Sequence, residues 1–168
     1  MELVAGDLLL RRPTPADVDD IAAACSDPEI ARFIPHIRLP YTREMAAAFV
    51  AGVERAWETS DERTFAIVRR EGEELLGIVT IRLHDEGSIG YWLKREARGA
   101  GVMTEAVRAV VDWAAGQGIA RLWITAHPDN LASQRVAEKA GFTRVGLAPH
   151  GLPFADGTTV AVRFELGS

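Results

Sequence analysis

The chain has 168 residues, 48% of them hydrophobic and 26% charged, a net charge of −5 and a single cysteine. That length fits one domain able to bury its own core, and one cysteine excludes an internal disulfide. No apolar run approaches the ~18 residues of a membrane span, no charged leader with an apolar stretch opens the chain, and no basic stripe marks a nucleic-acid partner, so a cytoplasmic protein with neither membrane nor nucleic acid as partner is expected.

Leu8 to Arg12 reads as a first strand. Thr14 then caps a helix with Pro15 at its first position, where proline sacrifices no hydrogen bond, and Val18, Ile21, Ala22 and Cys25 recur at helical spacing. Cys25 reads as a small buried hydrophobe. Asp27-Pro28 repeats the cap-plus-proline signal and starts a short helix through Phe33. Pro35 and Pro40 bound a loop, and Thr42 opens a helix with Met45, Phe49, Val53 and Trp57 along one side. Thr64–Arg69, Leu75–Leu83 and Ser88–Lys94 read as strands joined by turns at 71–74 and 84–87, an antiparallel meander.

From Val102 to Gly116 the period becomes helical, with Met103, Ala106, Val107, Val110, Val111 and Ala114 on one stripe. Arg121–Ala126 is a strand and Asn130–Ala140 a helix closed by Gly141. Phe142–Leu147 and Thr159–Leu166 form a last strand pair around a loop. The order predicts an α/β fold: one domain over 1–168 with a mixed sheet and helices on both faces.

Two stretches carry chemistry. Arg98-Gly99-Ala100-Gly101-Val102-Met103-Thr104 joins a strand to an amphipathic helix. Its glycines let several N–H groups converge, and the helix start adds unpaired N–H groups and a positive dipole end, a site for a phosphate. The same pattern also serves as a plain tight connection. It lacks the Gly-Lys-Ser/Thr of an ATP loop and the third glycine of the dinucleotide fingerprint. Downstream, Asn130 is a good helix cap, Ser133 lies one turn inside on nearly the same face, and Gly141-Phe142 stops the helix.

Together these segments resemble the GNAT superfamily of N-acetyltransferases. Arg98 to Met103 fits its Gln/Arg-x-x-Gly-x-Gly/Ala motif except that Met103 stands where Gly or Ala is usual, a change expected to alter packing more than phosphate binding. Asn130-x-x-Ser133 through Glu138-Lys139-x-Gly141-Phe142 resembles the branch of ribosomal-protein (Rim-type) N-terminal acetyltransferases. The order of elements matches that fold over nearly the whole chain.

The resemblance implies a mostly antiparallel sheet splayed between Ser88–Lys94 and Arg121–Ala126, with acetyl-coenzyme A as acyl donor in the wedge. Backbone groups of Tyr91, Trp92 and Leu93 would pair with the pantetheine amides. The N–H groups of Gly99, Ala100, Gly101, Val102, Met103 and Thr104, with Arg98, would hold the pyrophosphate. Asn130 would bond the pantetheine arm, and Ser133 would act as general acid to the departing thiolate. Arg135 and Lys139 would neutralise adenosine phosphates, although ordinary solvated charges explain both equally well. No metal is implied.

The acceptor is expected to be an amine: a protein or peptide N-terminus, or a small molecule such as a polyamine, amino acid or antibiotic. A coenzyme A-binding sensor without catalysis is the alternative, and a homodimer stays open. Attack on the thioester needs a neutral amine; an α-amino group, with a pKa of about 7.7–8.0, needs less help than a lysine-like amine at about 10.4. Trp92 or Leu93 N–H is the candidate oxyanion donor. Thr143–Phe164 has no glutamate to serve as base, which leaves His150, Asp156 and His127, or a water chain. The acceptor pocket is expected from Asp17–Phe33, Thr42–Trp57 and the loop Pro149–Thr158. Phe33, Trp57 and Phe154 are its candidate walls, with Phe33 and Trp57 expected in the core.

Overall fold

The computed structural model describes residues 1–83 and 86–167, so His84 and Asp85 of the expected turn lie outside the described residues. Among the described residues, eight strands form one sheet: β1 (Leu3–Ala5), β2 (Leu8–Arg11), β3 (Glu62–Arg69), β4 (Leu75–Leu83), β5 (Gly87–Leu93), β6 (Leu122–Ala126), β7 (Thr143–Pro149) and β8 (Val160–Leu166). Their spatial order is β1-β2-β3-β4-β5-β6-β8-β7. Every neighbouring pair is antiparallel except β5 and β6. Among the described residues, five α-helices complete the fold: α1 (Val18–Cys25), α2 (Pro28–Phe33), α3 (Arg43–Thr59), α4 (Val102–Gly116) and α5 (Leu131–Lys139). None is long and apolar enough to cross a membrane.

The mixed α/β architecture is the expected one, with local differences. β1 is an addition. Its three residues are too few to show an alternation, yet they pair with β2 from Leu3↔Leu10 to Ala5↔Leu8 around a turn whose Gly6 has φ +60°. Thr14 caps a single 3-10 turn (Pro15–Asp17) that leads into α1. The bidentate contact of Arg11 with Asp17, at 2.8 and 2.9 Å, ties the end of β2 to that turn. Burial disfavours the charged Asp17, but the bonds from Arg11 and from Thr14 N–H outweigh it and hold the carboxyl below its ordinary range.

Alternation of side chains splits the core in two. On one sheet face Phe65, Ile67, Val79, Ile81 and Ile89 pack on the α4 stripe of Val102, Met103, Ala106, Val107 and Val110. On the other, Ala66, Val68 and Ile78 pack on Val18, Ile21 and Cys25 of α1 and Ala46 and Val50 of α3. The buried stripe of α3 is Ala46, Val50, Val53 and Trp57: Val53 and Trp57 are as expected, while Ala46 and Val50 stand one residue on from the expected Met45 and Phe49. Met45 and Phe49 line a cavity, and Phe49, partly buried, also packs against both core clusters.

Candidate active site

The sheet opens where β5 meets β6. The two strands pair only at Gly87↔Leu122 and Ser88↔Trp123, then separate. The backbone of β5 beyond that point decides what faces the gap. Lys94 N–H donates to Leu76 O at 2.9 Å, and in the antiparallel register Ile78 lies opposite Trp92. Alternation therefore sends the N–H of Trp92 to β4 and those of Tyr91 and Leu93 into the gap. This corrects the expectation for Trp92: its amide is spent on the sheet, while Leu93, the other candidate oxyanion donor, and Tyr91 face the wedge.

The phosphate loop has the backbone its glycines suggest. Gly99 and Gly101 sit at φ +83° and +76°, with nothing within 4 Å of a hypothetical Cβ, so conformation and not crowding demands glycine. Gly101 occupies the N-cap of α4 in a left-handed conformation, with no side chain capping the helix. Among the described residues no protein acceptor meets the N–H groups of Gly99, Ala100, Gly101, Val102, Met103 or Thr104. Those groups and the dipole end are available to an anion. Met103 is 4% exposed within the core, as its position in the stripe requires. Arg98 Nε donates to Leu93 O at 3.1 Å, and its Nη2 lies 3.9 Å from Asp27 Oδ2, so this cation is held beside the loop. Arg135 and Lys139 are exposed on α5.

On the opposite bank, Asn130 Oδ1 accepts from Ser133 N–H at 3.1 Å, the cap its position called for. Its amide NH₂ remains able to donate to a ligand. Ser133 Oγ donates to Tyr91 Oη at 3.1 Å, and Tyr91 O–H donates to Ser133 O at 2.9 Å. Burial pushes the Tyr91 phenol up, which keeps it protonated. This hydroxyl pair ties β5 to α5 across the gap. The Tyr91 phenol has no signature in the sequence, because its partner lies on α5, 42 positions away.

The other sheet face carries a cavity of about 660 Å³. Thr64, Thr80, Ser88 and Gly90 belong to its floor, Met45 and Phe49 of α3 to its roof, and Ser133, Asn130, His150 and Phe154 to its far wall. Phe33 lines it and is not a core residue, whereas Trp57 is buried beside Phe65 with its indole N–H on Thr64 O at 3.0 Å. Trp92 and Trp123 line the cavity too. Glu62 and Arg82, 2.9 Å apart, close one end. No motif announces these floor residues, since the register of three strands brings them together.

The three candidate bases differ in what is left of their lone pairs. His127 is 3% exposed. Its Nδ1 accepts from Asp129 N–H at 3.0 Å and its Nε2 meets Asp156 Oδ2 at 2.9 Å. No lone pair is left to take a proton, and the residue acts as a strut. Asp156 is held down to about 2 by hydrogen bonds from Thr158 and then from His127, which makes it a feeble base. His150 Nδ1 contacts Leu152 O at 2.5 Å. A carbonyl only accepts, so Nδ1 carries the hydrogen and Nε2 keeps its lone pair.

Helix α2 lies between the two banks. Asp27, its cap, accepts from Arg95 at 3.2 Å on the side of the phosphate loop. At its other end Arg32 reaches Asp129 at 3.3 Å, and the Phe33 ring lies 5.2 Å from that of His127.

A mixed sheet opened at one parallel junction, with a glycine-turned helix start beside it, defines the acetyltransferase class of fold. Residues 7–143 match the family model described as an acetyltransferase (GNAT) domain. The chain belongs to this family, whose acyl donor is acetyl-coenzyme A. It is 36% identical over 114 residues to the Bacillus subtilis (strain 168) protein named "Probable N-acetyltransferase YjcK", a match covering 64% of this chain and 63% of that protein. Among solved structures, an acetyltransferase of Salmonella typhimurium that modifies the N-terminal serine of ribosomal protein L7/L12 superposes with a TM-score of 0.86 at 19% identity, over 100% of this chain and 99% of that one. The ribosomal L7/L12 alpha-N-protein acetyltransferase RimL bound to coenzyme A gives 0.86 at 18% identity, over 99% and 98%. At such identities these two show the shared fold.

Proposed function

We propose that this protein transfers the acetyl group of acetyl-coenzyme A to the α-amino group of a peptide or protein N-terminus. The observation that carries the reading is the opening between β5 and β6, with free backbone donors and the Ser133–Tyr91 pair on one side and the cavity on the other. Coenzyme A enters from the phosphate-loop side. Its diphosphate rests on the N–H groups of Gly99 to Thr104 and on Arg98, and its pantetheine lies along the free edge of β5 within reach of Asn130. The thioester then emerges beside Ser133.

The acceptor amine reaches the thioester carbon from the cavity. As the carbonyl oxygen gains charge, the N–H of Leu93 supports it. The leaving sulfur meets the Ser133 hydroxyl, whose single hydrogen turns to it from Tyr91 Oη. The cavity has few charged walls, and its one carboxylate on the strand floor, Glu62, is already paired with Arg82. That favours a single uncharged amine over a polycation. A small primary amine is the second reading, favoured by the cavity volume, which falls in the range of about 300–1,000 Å³ typical of small-molecule sites.

Release of coenzyme A thiol, followed with peptides bearing different N-terminal residues and with a panel of small primary amines, tests the assignment. Turnover is expected with the peptides. Turnover confined to small amines selects the second reading, and binding without turnover of either class refutes both.

A further inference from the structure

We infer that His150 is the general base of the acetyl transfer, held in its working tautomer by a rigid loop whose strut is His127–Asp156. The proposal rests on the function proposed above, and it deepens it by naming the group that takes the proton.

Three observations place His150 in that role. It lines the same cavity as Ser133 and Asn130, on the side from which the amine must come. Its Nδ1–H is committed to Leu152 O, which fixes the lone pair on Nε2. Its ring is stacked on Phe154, centroids 4.5 Å apart and planes 29° from parallel. Phe154 is in turn 4% exposed and meets the His127 ring edge-on at 4.8 Å.

The loop between β7 and β8 is pinned along its length. His150 N–H donates to Thr159 O at 2.7 Å, Phe154 N–H to Thr158 O at 2.9 Å, and Thr158 N–H to Asp156 Oδ1 at 2.9 Å. The bond from His127 to Asp156 Oδ2 fastens this loop to the end of β6. His127 and Asp156 are thus positioning residues, and the base is the third member of the set.

In the step proposed, the amine nitrogen bonds the acetyl carbon and the carbon–sulfur bond breaks. The electron pair of that bond leaves on sulfur, which the Ser133 hydroxyl stabilises and solvent protonates. The proton shed by the amine nitrogen passes to His150 Nε2 and then to water through the open side of the cavity.

Other ionisable groups share this space. Cys25 and Tyr41, on the helical side, are pushed up to about 12 by burial and stay protonated near neutrality. Glu62 and Arg82 are paired with each other. His36, from the loop after α2, and His127, beside Phe154, also line the cavity, and Asp156 is bonded to His127.

The test uses the intact protein, acetyl-coenzyme A and the acceptor panel named above, with His150→Gln and, as control, Glu54→Gln on the exposed face of α3 away from the cavity. With an active peptide acceptor, His150→Gln is expected to lower kcat on the order of 10²-fold near neutral pH. Its deficit is expected to shrink in alkali as hydroxide replaces the base, while acetyl-coenzyme A affinity and the Glu54→Gln rate stay at the parent value. A His150→Gln rate equal to the parent's, or reduced equally at every pH, overturns the assignment while leaving the proposed function standing. Parent protein inert with every acceptor overturns the function itself. Nitrogen NMR of the parent imidazoles reads the tautomer without turnover: a hydrogen on Nδ1 of His150 supports the proposal, and a hydrogen on Nε2 overturns it.

Discussion

The two sides of the β5–β6 opening are built in different ways. The cofactor side is nearly all backbone and nearly all local: seven consecutive residues from Arg98 to Thr104, an adjoining helix start and the free edge of one strand. The acceptor side is a shell of side chains drawn from α1, α2, α3, four strands and the β7–β8 loop. Backbone donors recognise what is common to every coenzyme A thioester, so one short motif suffices. Side chains from scattered elements can vary independently, which suits the part of the site that must choose an amine. Helix α2, tied to Arg95 at one end and to Asp129 at the other, joins the two constructions.

That contrast can be broken or sharpened by substitution. The largest effect is expected from Gly101→Glu, which puts a negative side chain and an unfavourable left-handed φ at the diphosphate seat. Calorimetry should show acetyl-coenzyme A affinity reduced by more than about 100-fold, or ~2.7 kcal/mol, with folding retained by circular dichroism.

Asp17→Ala comes next and strikes the acceptor side through packing. It strands Arg11, whose side chain is 14% exposed, and should cost about 3 kcal/mol in denaturant unfolding. The parent carries the corresponding pH dependence. Because Asp17 is held below its ordinary range, its contribution is fully present above about pH 4 and is lost as the pH falls through the folded pKa. The Asp17→Ala variant should lose that part of the acid dependence.

Ser133→Ala should reduce kcat at the low end of general acid–base effects, on the order of 10²-fold, with acetyl-coenzyme A affinity nearly unchanged. A larger loss in affinity than in kcat would move Ser133 from the chemistry to cofactor binding. The smallest effect is expected from Thr42→Ala, which removes the bond its Oγ1 accepts from Met45 N–H at 3.2 Å and should cost about 1 kcal/mol in thermal unfolding without touching the cofactor.

The same contrast explains what could be read before any coordinates. The phosphate loop, the caps at Thr42, Asp27 and Asn130, and the α4 stripe are local patterns, and local rules place them. β1 escaped because three residues carry no period. Only the first half of the α3 stripe escaped, because Ala46 and Val50 sit beside the equally apolar Met45 and Phe49. The split roles of Trp92 and Leu93 depend on which of two adjacent amides points at β4, a matter of register that spacing does not reveal. The Tyr91–Ser133 bond spans 42 positions and the His127–Asp156 bond 29. The histidines were visible as candidates, but only the distribution of their hydrogen bonds separates a saturated strut from a ring with a free nitrogen.

A crystal structure with bound coenzyme A measures the central claim most directly. The account predicts the diphosphate oxygens within hydrogen-bond distance of N–H groups between Gly99 and Thr104, the pantetheine along β5, and the sulfur beside Ser133 facing the cavity. A nucleotide seated elsewhere, or β5 and β6 paired along their full length with the thiol outside, would contradict it.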